Sequence, residues 1–117
     1  MKSDPVLLER YMKDPLSRRL GNLGSELLRL SKAVASGEAE KVEKLLRLCL
    51  DYVELAGRDF PVDIAEVLAD IQRVLTRYLH SVPNVLSDTS IRFRHQKELE
   101  LYAQLIVRLV PELEINI

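Results

Sequence analysis

The chain has 117 residues, 47% of them hydrophobic and 30% charged, and a formal net charge of −1. This composition fits one globular domain over residues 1–117, burying roughly two-thirds of the surface of the unfolded chain, and excludes disorder as the default. The near-neutral balance excludes an overall basic field, so neither nucleic acid nor an anionic membrane is an expected partner.

Cys49 is the single cysteine. It rules out an internal disulfide and suits a reducing compartment. The opening MKSDPVLLERYMKD carries no apolar run of signal-peptide length, and no uncharged stretch reaches the length of a membrane span. The expected localisation is cytoplasmic.

Two Asp-Pro pairs punctuate the start. Asp4 with Pro5 forms a cap and first position, and Asp14 with Pro15 repeats the device. A residue before proline is pushed out of the α region, so Asp14 also ends the first segment. The spacing predicts a short helix over Pro5 to Lys13 and a longer one over Pro15 to Ala35. Leu16, Leu20, Leu23, Leu27, Leu30 and Val34 form the apolar stripe of the longer helix. Beside it, Ser17, Gly21, Gly24, Ser31 and Ala35 make a face of small residues, with Leu28 among them. Each glycine costs a helix about 1 kcal/mol relative to alanine, and the gain expected in return is close approach of the central helix. A break between Gly21 and Gly24 is the alternative.

Gly37 sits where a C-terminal cap belongs, and Glu38 with Glu40 suits the positive end of the next helix. In that central stretch, Val42 to Ala56, apolar residues cover more than half the circumference at about 100° per residue. Only Glu43, Lys44, Arg47, Asp51 and Glu54 mark a polar strip, with Glu40–Lys44 and Glu43–Arg47 as favourable pairs. Such a helix must be covered on several sides. Gly57 ends it.

Pro61 to His80 is sharply amphipathic. Ile64, Val67, Leu68, Ile71, Val74, Leu75, Tyr78 and Leu79 face one way, and Glu66, Asp70, Arg73, Arg77 and His80 the other. Pro83 and Asn84 stop it. Ser87 to Ser90 offers caps for a last helix to about Val110, which Pro111 ends. The tail, Leu113 to Ile117, alternates apolar and polar residues and reads as an extended end or a strand. Short connections favour antiparallel neighbours. The expected fold class is therefore all-α, an up-and-down four-helix bundle with a short additional N-terminal helix.

Arg92-Phe93-Arg94-His95-Gln96-Lys97 puts positive charge at a helix start, against the usual preference. Arg92, Arg94, His95 and Lys97, extended along one face by Arg108, are the candidate anion- or partner-binding residues. The competing reading is a solvated face paired with Glu98, Glu100 and Glu112, which we favour. His95 falls in line with Leu99, Tyr102, Ile106 and Leu109, so a packed, hydrogen-bonded histidine is expected. Two histidines and one cysteine leave a zinc site short of ligands, and no cofactor or metal is expected.

Arg73 and His80 match the loose Arg-to-His spacing of the HEPN ribonuclease and toxin group, also small helical bundles. That resemblance implies a catalytic pair at Arg73 and His80 in a dimer cleft. Glu40-x-x-Glu43 with Asp63-x-x-Glu66 resembles the acidic motifs of all-α nucleotide pyrophosphohydrolases, although the second pair is swapped in order. An exposed salt-bridged strip is the reading we take there. Cys49, within the apolar arc, reads as an inert core residue.

Leu20-Gly21-Asn22-Leu23, Leu28-Arg29-Leu30-Ser31, Tyr52-Val53-Glu54-Leu55, then Pro61 and Glu66-Val67-Leu68-Ala69-Asp70-Ile71-Gln72, are together similar to the layout of short uncharacterised helical proteins of cyanobacteria. The resemblance spans Asp14 to Val110, without the tryptophans frequent in that group. It implies a small helical bundle and supplies no active site. The functional expectation is a non-enzymatic interaction or scaffold protein that self-associates as a homodimer or higher homo-oligomer, or binds another protein. The all-round apolar central helix and the small-residue face motivate it.

Overall fold

Asp4 opens the first helix as the sequence predicts: its Oδ1 accepts the N–H of Val6 at 2.9 Å, with Pro5 in the first helical position. In the computed structural model, which describes residues 4–56 and 59–115 apart from the side chains at 56, 114 and 115, the helices are α1 (Pro5–Lys13), α2 (Leu16–Ser36), α3 (Ala39–Ala56), α4 (Val62–His80), α5 (Val82–Val85) and α6 (Thr89–Ile115). The described residues contain no strand. The fold is all-α.

Local signals explain most boundaries. Asp14 ends α1 in an extended conformation, its N–H donating to the carbonyl of Tyr11. It does not cap α2, which begins after an extended Pro15 without a side-chain hydrogen bond. Instead the Asp14 carbonyl accepts Arg19 Nε at 2.8 Å, and Arg19 also pairs with Asp59 at 2.9 Å. Gly37 closes α2 at φ 73°, a left-handed conformation in which a side chain is strained. Asp88 caps α6 through the N–H of Ile91 at 2.8 Å. Of the two predicted pairs on α3, Glu43–Arg47 forms at 3.2 Å. The expected stop at Gly57 lies outside the described residues.

Three expectations need correction. Pro111 does not end the last helix, which continues to Ile115. An interior proline costs about 3 kcal/mol through the missing N–H and ring crowding. Beyond it Leu113 is only 7% exposed, and burying such a leucine returns about 1.5–3 kcal/mol, so packing offsets most of the proline's cost. Accordingly Leu113 to Ile115 is helical rather than extended, while residues 116 and 117 lie outside the description. The short turn α5 was also not anticipated.

The third correction concerns the small-residue face. α2 runs unbroken through Gly21 and Gly24, and the close neighbour at Gly24 is α6, not α3. A Cβ at Gly24 would lie 3.1 Å from Ile106 Cγ2 and 3.7 Å from the Ala103 carbonyl oxygen. With Gly37 beside Arg92 at the other end, α2 and α6 run antiparallel, and theirs is the most extensive helix–helix interface.

Across the molecule the contact order is α6–α2–α3–α4, with α1 and α5 closing against α3. Leu20, Leu23, Leu27, Leu30 and Val34 of α2 are fully buried, as are Leu46 and Cys49 of α3, Ile71 and Leu75 of α4, and Leu99 and Ile106 of α6. Val42, Leu45, Leu46, Cys49, Leu50, Tyr52 and Val53 of the α3 arc are buried within one chain, while Leu55 remains exposed. α4 and α6 approach mainly through side chains, chiefly Tyr78 against His95. That leaves a seam between them.

Candidate functional site

The seam begins with a tyrosine on the buried face of α4. Tyr78 is amphipathic: its ring packs inward while its hydroxyl reaches toward α6. That hydroxyl donates to Glu98 Oε1 at 2.5 Å and lies 2.9 Å from His95 Nδ1. A phenol has one proton, and here it goes to the carboxylate, so the imidazole donates from Nδ1 to the tyrosine oxygen. Nε2 of His95 then keeps a free lone pair. The two rings meet edge to face, 4.7 Å between centroids.

Burial lowers the pKa of His95, with Glu98 opposing and Arg94 and Arg77 reinforcing the shift. Burial likewise raises that of Tyr78, and its hydrogen bond to Glu98 adds to the rise. Both shifts favour the neutral ring and the neutral phenol. The Glu98–Tyr78–His95 chain is therefore a polar network with one uncommitted acceptor at its end.

Two grooves open along this seam. The smaller, about 250 Å³, is lined by Arg77, Tyr78, Ser81, Asn84, Val85, His95 and Glu98. The larger, about 660 Å³, is lined by Asp70, Gln72, Arg73, Val74, Thr76, Arg77 and Tyr102. Arg77 belongs to both. Ser81 is tied back to α4, its hydroxyl donating to the Arg77 carbonyl at 3.2 Å.

The basic run at the start of α6 does not converge. Arg92 turns toward the C-terminal end of α2, where a cation meets the negative end of the helix dipole. A Cβ at Gly37 would collide with its guanidinium, and its Nη2 donates to the Thr89 hydroxyl at 3.2 Å. Arg94 and Arg108 are exposed. Lys97 pairs with Glu100 at 3.2 Å and stands over the Phe93 ring. His95 alone of the run faces the seam, half-buried and hydrogen-bonded as its place on the helix suggested.

Arg73 lines the larger groove and pairs with Asp70. His80 is exposed and lines neither groove, so the two residues of the HEPN-like spacing are not brought into one cleft of this chain. Among the described residues no three His, Cys, Asp or Glu side chains are grouped closely enough to hold a metal ion. Cys49 is fully buried, and burial pushes its thiol pKa up. Among the described residues no helix is long and apolar enough to cross a membrane.

Sequence reasoning missed Arg77, Tyr78, Asn84 and Glu98 as a group. Arg77 read as one more cation of a wet face and Tyr78 as one more core residue. The partners of Tyr78 stand 17 and 20 positions away in the chain, beyond the reach of helical spacing.

A second surface stands out on α6. Leu101 is 66% exposed, Val107 60% and Phe93 58%. At helical pitch these share one side with Arg94, Lys97, Gln104 and Arg108, and with Glu100, the partner of Lys97. The antiparallel register brings Leu28 of α2, also exposed, to the level of Leu101.

With this geometry in hand, comparison with known proteins adds no relative: no family model, curated protein or solved structure matches the chain.

Proposed function

We propose that the chain is a non-enzymatic helical interaction module, and that the outer face of α6 docks an acidic amphipathic helix of another protein. The observation that carries this reading is the coincidence of exposed Phe93, Leu101 and Val107 with Arg94 and Arg108 on one helix face, where Lys97 is paired with Glu100. Large apolar side chains on a wet surface mark contact sites, and flanking cations select the sign of the partner.

A second copy fits this face less well. Two α6 helices crossing antiparallel at Leu101 would set Arg94 of one against Arg108 of the other, and like charges repel. Within one chain most of the α3 arc is buried and Gly24 and Ser31 are packed, while Leu55, Leu28 and Ala35 stay exposed and Gly21 has no close neighbour. The reading takes α2, α3, α4 and α6 as an up-and-down four-helix bundle with α1 added, supported by the antiparallel register of α2 with α6. It places the module in the cytoplasm, where a single unpaired thiol is at home.

The test uses two synthetic helix-forming peptides with the same apolar stripe, one flanked by Glu and one by Lys, titrated by fluorescence anisotropy. The acidic peptide should bind, and more weakly as salt rises. Leu101→Glu should reduce its affinity by about tenfold or more, corresponding to about 1.4 kcal/mol. Equal binding of both peptides, or none, overturns the reading. So does a dimer in sedimentation that Leu101→Glu dissolves.

A further inference from the structure

We propose that the seam between α4 and α6 binds a phosphate monoester, with its anion in the smaller groove at Arg77, Asn84 and His95 and its organic body over Tyr102. The inference is independent of the docking face, which lies on the outer side of α6.

Most polar groups along the seam are already engaged. Asp70 is paired with Arg73, and Glu98 accepts the Tyr78 proton. Ser81 donates to its own helix. What remains on the lining of the smaller groove is Arg77, which makes no ion pair among the described residues, Asn84, whose side chain makes no hydrogen bond among them, and His95, whose Nε2 is uncommitted. These come from three elements, α4, α5 and α6. Donors approaching from three directions suit a tetrahedral anion with several oxygens better than a flat carboxylate, which one bidentate arginine satisfies.

The acids facing this groove do not oppose the ligand outright. Glu98 is the one carboxylate on its lining among the described residues, and its Oε1 accepts from Tyr78. Arg94 and Arg77 lie close enough to bear on His95 electrostatically, and α5 contributes no titratable group. An anion beside Nε2 favours the imidazolium, so His95 takes up a proton as the ligand binds and its Nε2–H becomes a donor. Tyr78 holds Nδ1 in the orientation this needs.

The size of the site argues for an ester rather than the bare ion. About 250 Å³ admits a phosphate group, and the adjoining groove of about 660 Å³, reached past the shared Arg77, is lined by Val74, Thr76 and the Tyr102 ring. Ligand sites of this kind combine an apolar wall with a few convergent polar groups.

The probes are phenyl phosphate, inorganic phosphate and benzoate, titrated into the whole chain at matched ionic strength and followed by amide and histidine-ring NMR shifts. Phenyl phosphate should move Arg77, Asn84, His95 and Tyr102 together with a dissociation constant of about 1 mM or tighter. Inorganic phosphate should move Asn84 and His95 but not Tyr102, and benzoate should bind at least about tenfold more weakly than phenyl phosphate. Arg77→Ala and Asn84→Ala, both at exposed positions, should each lose most of the affinity, while Arg108→Ala keeps it. The inference fails if shifts gather on Arg94 and Arg108 instead, if benzoate matches phenyl phosphate, or if both seam variants bind as the parent does.

Discussion

Tyr11 of α1 lies flat on Tyr52 of α3, with ring centroids 3.8 Å apart and the planes parallel. Its hydroxyl donates to the Tyr52 carbonyl at 3.4 Å. A nine-residue helix is too short to persist alone, and this contact, with Leu8 and Met12 packed against the core, holds α1 on the body of the protein. Tyr11→Ala should cost about 3–5 kcal/mol, the range for deleting a buried aromatic ring. Tyr11→Phe keeps the stack and gives up one long hydrogen bond, so about 0.5 kcal/mol is expected. Chemical denaturation of both variants checks the ratio. Equal losses would show that the hydroxyl, not the ring, anchors α1.

The two glycines of α2 should respond oppositely. A Cβ at Gly21 meets nothing within 4 Å, so Gly21→Ala gains helix propensity alone and should stabilise by about 0.5–1 kcal/mol. At Gly24 the added group runs into Ile106, and Gly24→Leu should cost about 1–3 kcal/mol by forcing α2 away from α6. Thermal melting of the pair reads the sign directly. A neutral Gly24→Leu would mean the α2–α6 interface is not closely packed.

Acid should weaken the fold through His95. Its pKa is lowered in the folded protein, so below about pH 6.5 the unfolded chain takes a proton before the folded one does. Stability falls as pH drops through that window and levels off below the folded value. In His95→Gln the urea midpoint should vary less between pH 7 and the acid side. An unchanged profile would assign the acid sensitivity elsewhere.

Alkali should act through the tyrosines. Burial raises Tyr11 and Tyr78 well above 10, and Tyr52 and Tyr102 move the same way. Stability held below pH 10 is then lost as pH rises past the unfolded value. The phenolate absorbance should appear in step with loss of helix by circular dichroism. Early ionisation of all four rings with the helices intact would contradict their burial.

Much of the fold was legible because its signals are local. Asp4, Asp14 and Gly37 act within a turn of their own position, and the apolar stripes of α2 and α4 follow from pitch alone. Pro111 misled because the rule against interior proline is local too, while the burial of Leu113 that outweighs it is tertiary. The partner of Gly24 was misassigned for a related reason: pitch tells which face is small, not which helix meets it. At the seam, the side of α6 that His95 faces was readable, whereas its link through Tyr78 to Glu98 depends on two helices that the chain joins only after a turn.

The sole thiol of the chain sits on Cys49, with no exposed surface and with burial opposing its ionisation. A thiol-specific reagent can reach it only when α3 separates from its neighbours. Alkylation rate at that position is thus a built-in clock for whole-molecule opening, needing no introduced label, against which any ligand or partner can be timed.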